Sequence, residues 1–145
     1  MEIAIKYFGR NDYKLAVFPQ GDWLDLTIGQ DITLKAHESA IIPLNVAMAL
    51  PDGFEAHLLP RSSTFRKTGL LLTNGMGIID NSYAGDNDEW GASVYATRDI
   101  TLKNGQRLFQ FRLTPTQFNQ VNEFTFNTVE HLQGADRGGF GSTDE

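Results

Sequence analysis

The chain contains no cysteine. Disulfides and thiolate metal sites are therefore excluded, and nothing points to an oxidising compartment. Positive charge is also scarce: 12 Lys and Arg stand against 18 Asp and Glu, a net charge of -6. Proteins that grip a nucleic-acid backbone present a basic face, so this balance argues against direct nucleic-acid binding. It leaves room for a small phosphorylated ligand, because a few arginines and a metal ion neutralise phosphate locally. No apolar run approaches the length that spans a bilayer, so no membrane partner is expected. The opening MEIAIKYFGR has no basic stretch followed by a long apolar one, so no signal peptide is expected either. A cytoplasmic location is the expectation. The three histidines, at positions 37, 57 and 131, lack metal-ligand spacing.

Helical periodicity is missing too. Apolar residues alternate or cluster in short β-rich pieces, which predicts strands over 3–8, 31–35, 40–50, 54–59, 70–73, 77–80, 92–96, 100–102, 107–113 and 122–127. A last short strand is expected at 129–132. The run 40–50 reads as one strand buried on both sides, with Pro43 at an edge or bulge. Turn signals separate the strands at Pro51-Asp-Gly53, Thr73-Asn-Gly75, Gly85-Asp-Asn-Asp88 and Lys103-Asn-Gly105. Many short strands with regular turns predict an all-β fold, a sandwich or jelly-roll-like β-barrel. Residues 1–132 form that domain. Residues 133–145 are rich in Gly and charge with one large apolar residue, Phe140, and are either a disordered end or a C-terminal arm that orders on a ligand.

Five patches carry chemistry, in this order: GDWLDL at 21–26, PRSST at 60–64, NGMGIIDNSYAG at 74–85, GQRLFQ at 105–110 and RGGFGST at 137–143. The ordered set resembles the five motifs of the trimeric dUTPase family, across most of the chain. The extension GDNDEW at 85–90 is similar to the branch found in Bacillus and its phages. The resemblance implies the β-clip form of the jelly roll, a homotrimer and Mg²⁺-dependent hydrolysis of dUTP to dUMP and pyrophosphate. It also implies three sites between subunits, and a regulatory protein partner if the chain is phage-encoded.

Roles are implied residue by residue. Asp80 would orient and deprotonate the attacking water, a task that suits a carboxylate within hydrogen-bond reach. By itself it also fits a turn-capping Asp. Tyr83 would lie under the deoxyribose and exclude a 2′-hydroxyl, though a strand Tyr also fits simple packing. Asn74, Gly77 and Ile79 belong to a hairpin that would read uracil through backbone groups and the Asn amide. Arg61, Ser62, Ser63 and Gln110 would contact the phosphates. Asp25 would hold waters around Mg²⁺, with Asp22 close by and not separable on chemistry. Arg61 and Asp25 also fit a structural ion pair.

In the arm, Arg137, Gly141, Ser142 and Thr143 would bind phosphate, and glycine backbone can curl round an anion. Phe140 would cover the uracil as a lid. Arg137 stands only two residues before Phe140, so Trp90 is a second lid candidate, the other reading being a core Trp. The same-fold rival is dCTP deaminase, whose RSSxxR pattern fits Arg61 to Arg66. That family carries a Glu one residue after the aromatic of the third motif, where this chain has Ala84.

Overall fold

The computed structural model describes residues 1–16, 21–121 and 124–141. Its strands are β1 (Ala4–Tyr7), β2 (Leu24–Thr27), β3 (Ile32–Leu34), β4 (Ser39–Pro43), β5 (Val46–Ala49), β6 (Phe54–Pro60), β7 (Leu70–Leu72), β8 (Gly77–Ile79), β9 (Gly91–Ala96), β10 (Ile100–Leu102) and β11 (Arg107–Pro115). Two short helices, α1 (Thr64–Thr68) and α2 (Gln117–Gln120), complete the ordered set. Hydrogen bonding divides the strands into four antiparallel sheets. These are β1-β5, β10-β3, β4-β9-β7, and the largest, in the order β2-β11-β6-β8. The all-β class holds, built from several small sheets around one core.

Period-2 patterning explains the core. On β9, Ala92, Val94 and Ala96 point inward, and on β6, Ala56 and Leu58 do so. On β11 the consecutive residues Leu108 and Phe109 are both buried. A register irregularity between Arg107 and Phe109, in the pairing with β2, accounts for this break in alternation. Each large side chain so buried contributes about 1.5–3 kcal/mol of transfer free energy. Trp90 joins this cluster at 1% exposure, its ring meeting Phe111 edge-on at 5.1 Å.

The apolar run 40–50 is two strands rather than one. Asn45 adopts φ 69° between them, a left-handed conformation that Asn tolerates better than most residues. The bend sends β4 to pair with β9 and β5 to pair with β1. Helix α1 was invisible to periodicity because five residues make little more than one turn. Gly69, at φ 71°, ends it by donating its N–H to the Phe65 carbonyl at 2.7 Å. Strand β2, which carries Asp25, was also not anticipated.

The strands expected at 122–127 and 129–132 do not form among the described residues, which hold no regular structure from 124 to 141. Phe126 stands 94% exposed. No helix among the described residues is long and apolar enough to cross a membrane.

Candidate active site

The third patch builds a cleft of about 480 Å³, lined among others by Asn74, Ile78, Ile79, Asp80, Tyr83 and Glu89. The expected uracil hairpin differs from a simple one. Strand β7 pairs with β9 and β8 pairs with β6, so the turn at 73–76 bridges two sheets. Strand β8 is therefore an edge of its sheet, with one side of its backbone unused by any ladder. Such an edge offers alternating N–H and C=O groups to a ligand with the same pattern. Gly77 keeps this strand close to β6: a Cβ there would lie 3.1 Å from the Leu58 Cβ.

Asp80 leaves the end of β8 and is exposed. Its Oδ2 accepts hydrogen bonds from the Ser82 hydroxyl and from the Ser82 N–H, the latter at 2.9 Å. The hydroxyl, followed by that amide, holds the carboxyl below the usual Asp range, against a small opposing effect of desolvation. Asn81 fixes the turn from beneath. Its Nδ2 donates to the Pro51 carbonyl at 2.8 Å and to the Phe54 carbonyl at 3.0 Å. The Tyr83 hydroxyl donates to the Glu89 carbonyl at 3.0 Å. Trp90 reaches this cleft only from within the core. A lid must move over a ligand, and moving this indole would empty the core, so the lid reading of Trp90 is corrected to a packing role.

The first, second and fourth patches meet elsewhere, at a cleft of about 410 Å³ lined by Tyr13, Trp23, Leu24, Asp25, Arg61 and Arg107, with two small residues. Arg61 Nε lies 3.1 Å from Asp25 Oδ1, and Arg107 Nη1 lies 3.8 Å from Oδ2. Exposed pairs of this kind contribute no more than about 1 kcal/mol. Two guanidiniums share one carboxylate, so the cluster keeps a net positive charge and spare donors for an anion. The Arg61 guanidinium also donates to the Arg107 carbonyl at 3.2 Å. Tyr13 donates its hydroxyl to the Asp25 carbonyl at 2.9 Å, and burial, then the Asp25 charge, pushes its phenol above the usual Tyr range.

Nearby, Ser63 is the N-cap residue of α1, though its side chain makes no capping bond. Buried Thr64 clamps this turn onto β11. Its hydroxyl donates to the Leu108 carbonyl at 2.6 Å and accepts the Arg61 N–H at 3.1 Å. Gln110 pairs across from Asp25 on β11 and donates to the Pro60 carbonyl at 3.1 Å. Of the two candidate metal carboxylates, Asp25 stands in this cleft, and Asp22 pairs with Arg112 at 3.1 Å. Arg107 and Tyr13 are additions to the site. Arg107 lay inside the fourth patch, a signal that was present; Tyr13 carried none.

The two clefts do not meet within one chain. Asp25 is on one edge strand of the β2-β11-β6-β8 sheet and Asp80 follows the other. Three strand spacings of about 4.8 Å put the two roughly 14 Å apart. Arg61 follows one end of β6, while Ile79, the neighbour of Asp80, pairs with Ala56 near the other end. Five residues of strand, at about 3.4 Å each, separate them by roughly 17 Å.

The described residues of the arm, 133–141, line neither cleft. Arg137, Phe140 and Gly141 are exposed, and φ is positive at Gly138, Gly139, Phe140 and Gly141. Ser142 and Thr143 lie outside the described residues.

The dUTPase family model matches residues 21–144. The chain is 44% identical over 143 residues to the SPbeta prophage-derived deoxyuridine 5′-triphosphate nucleotidohydrolase YosS of Bacillus subtilis, covering 99% of this chain and 98% of that protein. Among solved structures it is similar to a dUTPase of Staphylococcus bacteriophage 80alpha with dUPNHPP, at TM-score 0.76 and 19% identity over 98% of each chain. It is also similar to a dUTPase from phage phi11 of S. aureus that coordinates a structural Mg(II) ion, at TM-score 0.73 and 17% identity, covering 90% of this chain and 98% of that one. With a family model over most of its length and a near full-length relative in a Bacillus prophage, the chain belongs to the dUTPase family.

Proposed function

We propose that the chain is a dUTP diphosphatase that hydrolyses dUTP to dUMP and pyrophosphate, and that it works as a homotrimer. Such an activity limits uracil incorporation into DNA and supplies dUMP for dTMP synthesis. The observation that carries this reading is the division of labour between the clefts. Ile78 and Ile79 of the edge strand, Asp80 and Tyr83 share one cleft, while the guanidiniums of Arg61 and Arg107 stand at another. A triphosphate must contact both sets at once, which a second copy of the chain makes feasible and a single copy does not.

In this reading the β8 edge and Asn74 match the uracil edge, and a cytosine amino group would leave buried polar groups unpaired. Tyr83 lies beneath the sugar. Asp80 accepts a proton from water that attacks the α-phosphorus in line, and pyrophosphate leaves. Arg61 and Gln110, with the Ser62 and Ser63 hydroxyls, bind the phosphates; Arg137, Gly141, Ser142 and Thr143 reach them from the arm, and Phe140 covers the base. Most of the rate enhancement comes from positioning and charge stabilisation.

Among the described residues no group of three or more His, Asp or Glu could cage a metal. The donor set fits Mg²⁺ brought in on the triphosphate, since this ion keeps several waters and needs only one or two carboxylates. Asp25 would hold its waters, and the ion would supply charge neutralisation on the leaving group. A regulatory protein partner is a second reading, supported by the staphylococcal phage relative's description as controlling transfer of virulence genes.

A nucleotide panel tests the activity. Pyrophosphate release from dUTP should exceed that from dCTP by roughly a thousandfold or more in kcat/KM, the scale reached when a site's polar groups are left unpaired, and should also exceed that from dTTP and UTP. Ammonia release from dCTP would instead favour the deaminase.

The pH dependence follows from Asp80. Its carboxyl is depressed, so the ionised base is present at neutral pH and activity is lost only as pH falls through that lowered value. Ser82→Ala removes the main donor and raises the pKa. The acid limb of kcat/KM should therefore move to higher pH, within a scan from about pH 3 to 7. An unmoved limb would refute Asp80 as the titrating base.

A further inference from the structure

The extension at 85–90 is not used by the reaction above, yet Glu89 stands at the edge of the first cleft. Its carboxylate is engaged by three donors. Arg10 Nε donates to Oε2 and Arg10 Nη2 to Oε1, both at 2.8 Å, and the Asn45 N–H donates to Oε2 at 2.9 Å. The Arg10 N–H in turn donates to the Asn45 Oδ1 at 2.9 Å. A guanidinium–carboxylate fork of this kind fixes orientation as well as proximity. The Glu89 side chain is 15% exposed, while Arg10 is 40% exposed.

The main chain of Glu89 is equally constrained. The next residue is the buried Trp90, whose N–H donates to the Val46 carbonyl at 2.8 Å. The Glu89 carbonyl between these anchors accepts the Tyr83 hydroxyl. Tyr83 is thus tied to backbone that cannot shift without breaking the Arg10 fork or the core. Arg10 reaches Glu89 by crossing Gly29, where an added Cβ would fall 2.5 Å from the Arg10 Cδ. Gly29 leaves the space through which the arginine passes.

We propose that Arg10 and Glu89 form a positioning clamp that fixes the Tyr83 ring, so that an ion pair lying behind the nucleotide sets the discrimination between deoxyribose and ribose. The clamp rests on the reading of the first cleft as a deoxynucleotide site. A ring held by its hydroxyl blocks the space a 2′-hydroxyl needs. A ring released from Glu89 can tilt and admit it. Arg10 and Glu89 are positioning residues here, acting through Tyr83 alone.

The test compares kcat/KM for dUTP and UTP, by pyrophosphate release, in the full chain and in Arg10→Met, Arg10→Lys, Gly29→Ala, Tyr83→Phe and the Arg10→Met/Tyr83→Phe double variant, with Tm measured for each. The dUTP:UTP ratio should fall roughly tenfold in Arg10→Met, Gly29→Ala and Tyr83→Phe, the scale of one lost hydrogen bond. Arg10→Lys keeps a single contact and should fall between. The double variant should match Tyr83→Phe, because the arginine has nothing left to act through. Equal loss on both substrates at an unchanged ratio marks a purely structural role and overturns the clamp. A full additional loss from Arg10→Met in the Tyr83→Phe background overturns it as well. A wild-type chain without preference for dUTP over UTP removes the deoxynucleotide reading and the clamp together, whereas a selective wild type with unaltered variants removes the clamp alone.

Discussion

Replacing Asp80 with Asn is expected to lower kcat for dUTP by roughly 10²–10⁴-fold, the range associated with removing a general base, while nucleotide binding persists. The side chain is exposed and lies outside the core, so its exchange for an isosteric amide should not disturb folding. The amide can still accept from Ser82 through its oxygen, so the turn keeps its shape. What it loses is the capacity to take a proton. The uracil edge, Tyr83 and the arginines are untouched, so a non-hydrolysable dUTP analogue should bind with an affinity within a few-fold of wild type. Isothermal titration alongside pyrophosphate release separates the two effects. Turnover near the wild-type rate would remove Asp80 as the base, and loss of binding with turnover would recast it as a ligand contact.

Removal of residues 133–145 should abolish most activity and leave the fold intact. The core cluster ends at Phe111, with Leu113 packed against it, and includes no described residue of the arm. Phe140 and Arg137 are exposed and line neither cleft. Truncation should therefore shift Tm by less than about 2 °C, as for loss of surface contacts in a domain of this size. In the proposed reaction the arm brings donors to the phosphates and a ring over the base. Losing it should cost at least about a hundredfold in kcat/KM, comparable with removing one well-placed charge-stabilising donor. Size-exclusion chromatography checks that assembly survives. Full activity in the truncated chain would sink the arm's role.

The sequence disclosed most strands because alternation is a local property, and β6, β9 and β11 carry it plainly. It hid the break at Asn45, since an apolar run from 40 to 50 looks continuous and only a left-handed residue divides it. It also suggested strands after residue 121, where apolar alternation exists but no strand forms among the described residues. Motif order singled out Asp80 and Tyr83, which share a cleft, and Arg61, which lies at another. Their separation was not, because the distance between two clefts depends on which strands become sheet edges. The resemblance left Trp90 between lid and core, and burial against Phe111 decides for the core. Tyr13 and the Arg10–Glu89 fork were beyond reach, since each joins positions far apart in the chain through side-chain contacts alone.

The distance along β6 between Asp80 and Arg61 has a genetic meaning. If working sites are assembled from neighbouring copies, the two residues of one site come from different polypeptides. A chain that has lost Asp80 and a chain that has lost Arg61 are each inactive alone. Mixed in one ring, the first lends its arginine and the second its carboxylate, and some sites are whole again. Two defective alleles in the same cell would then complement each other, a behaviour written into the order of strands in a single sheet.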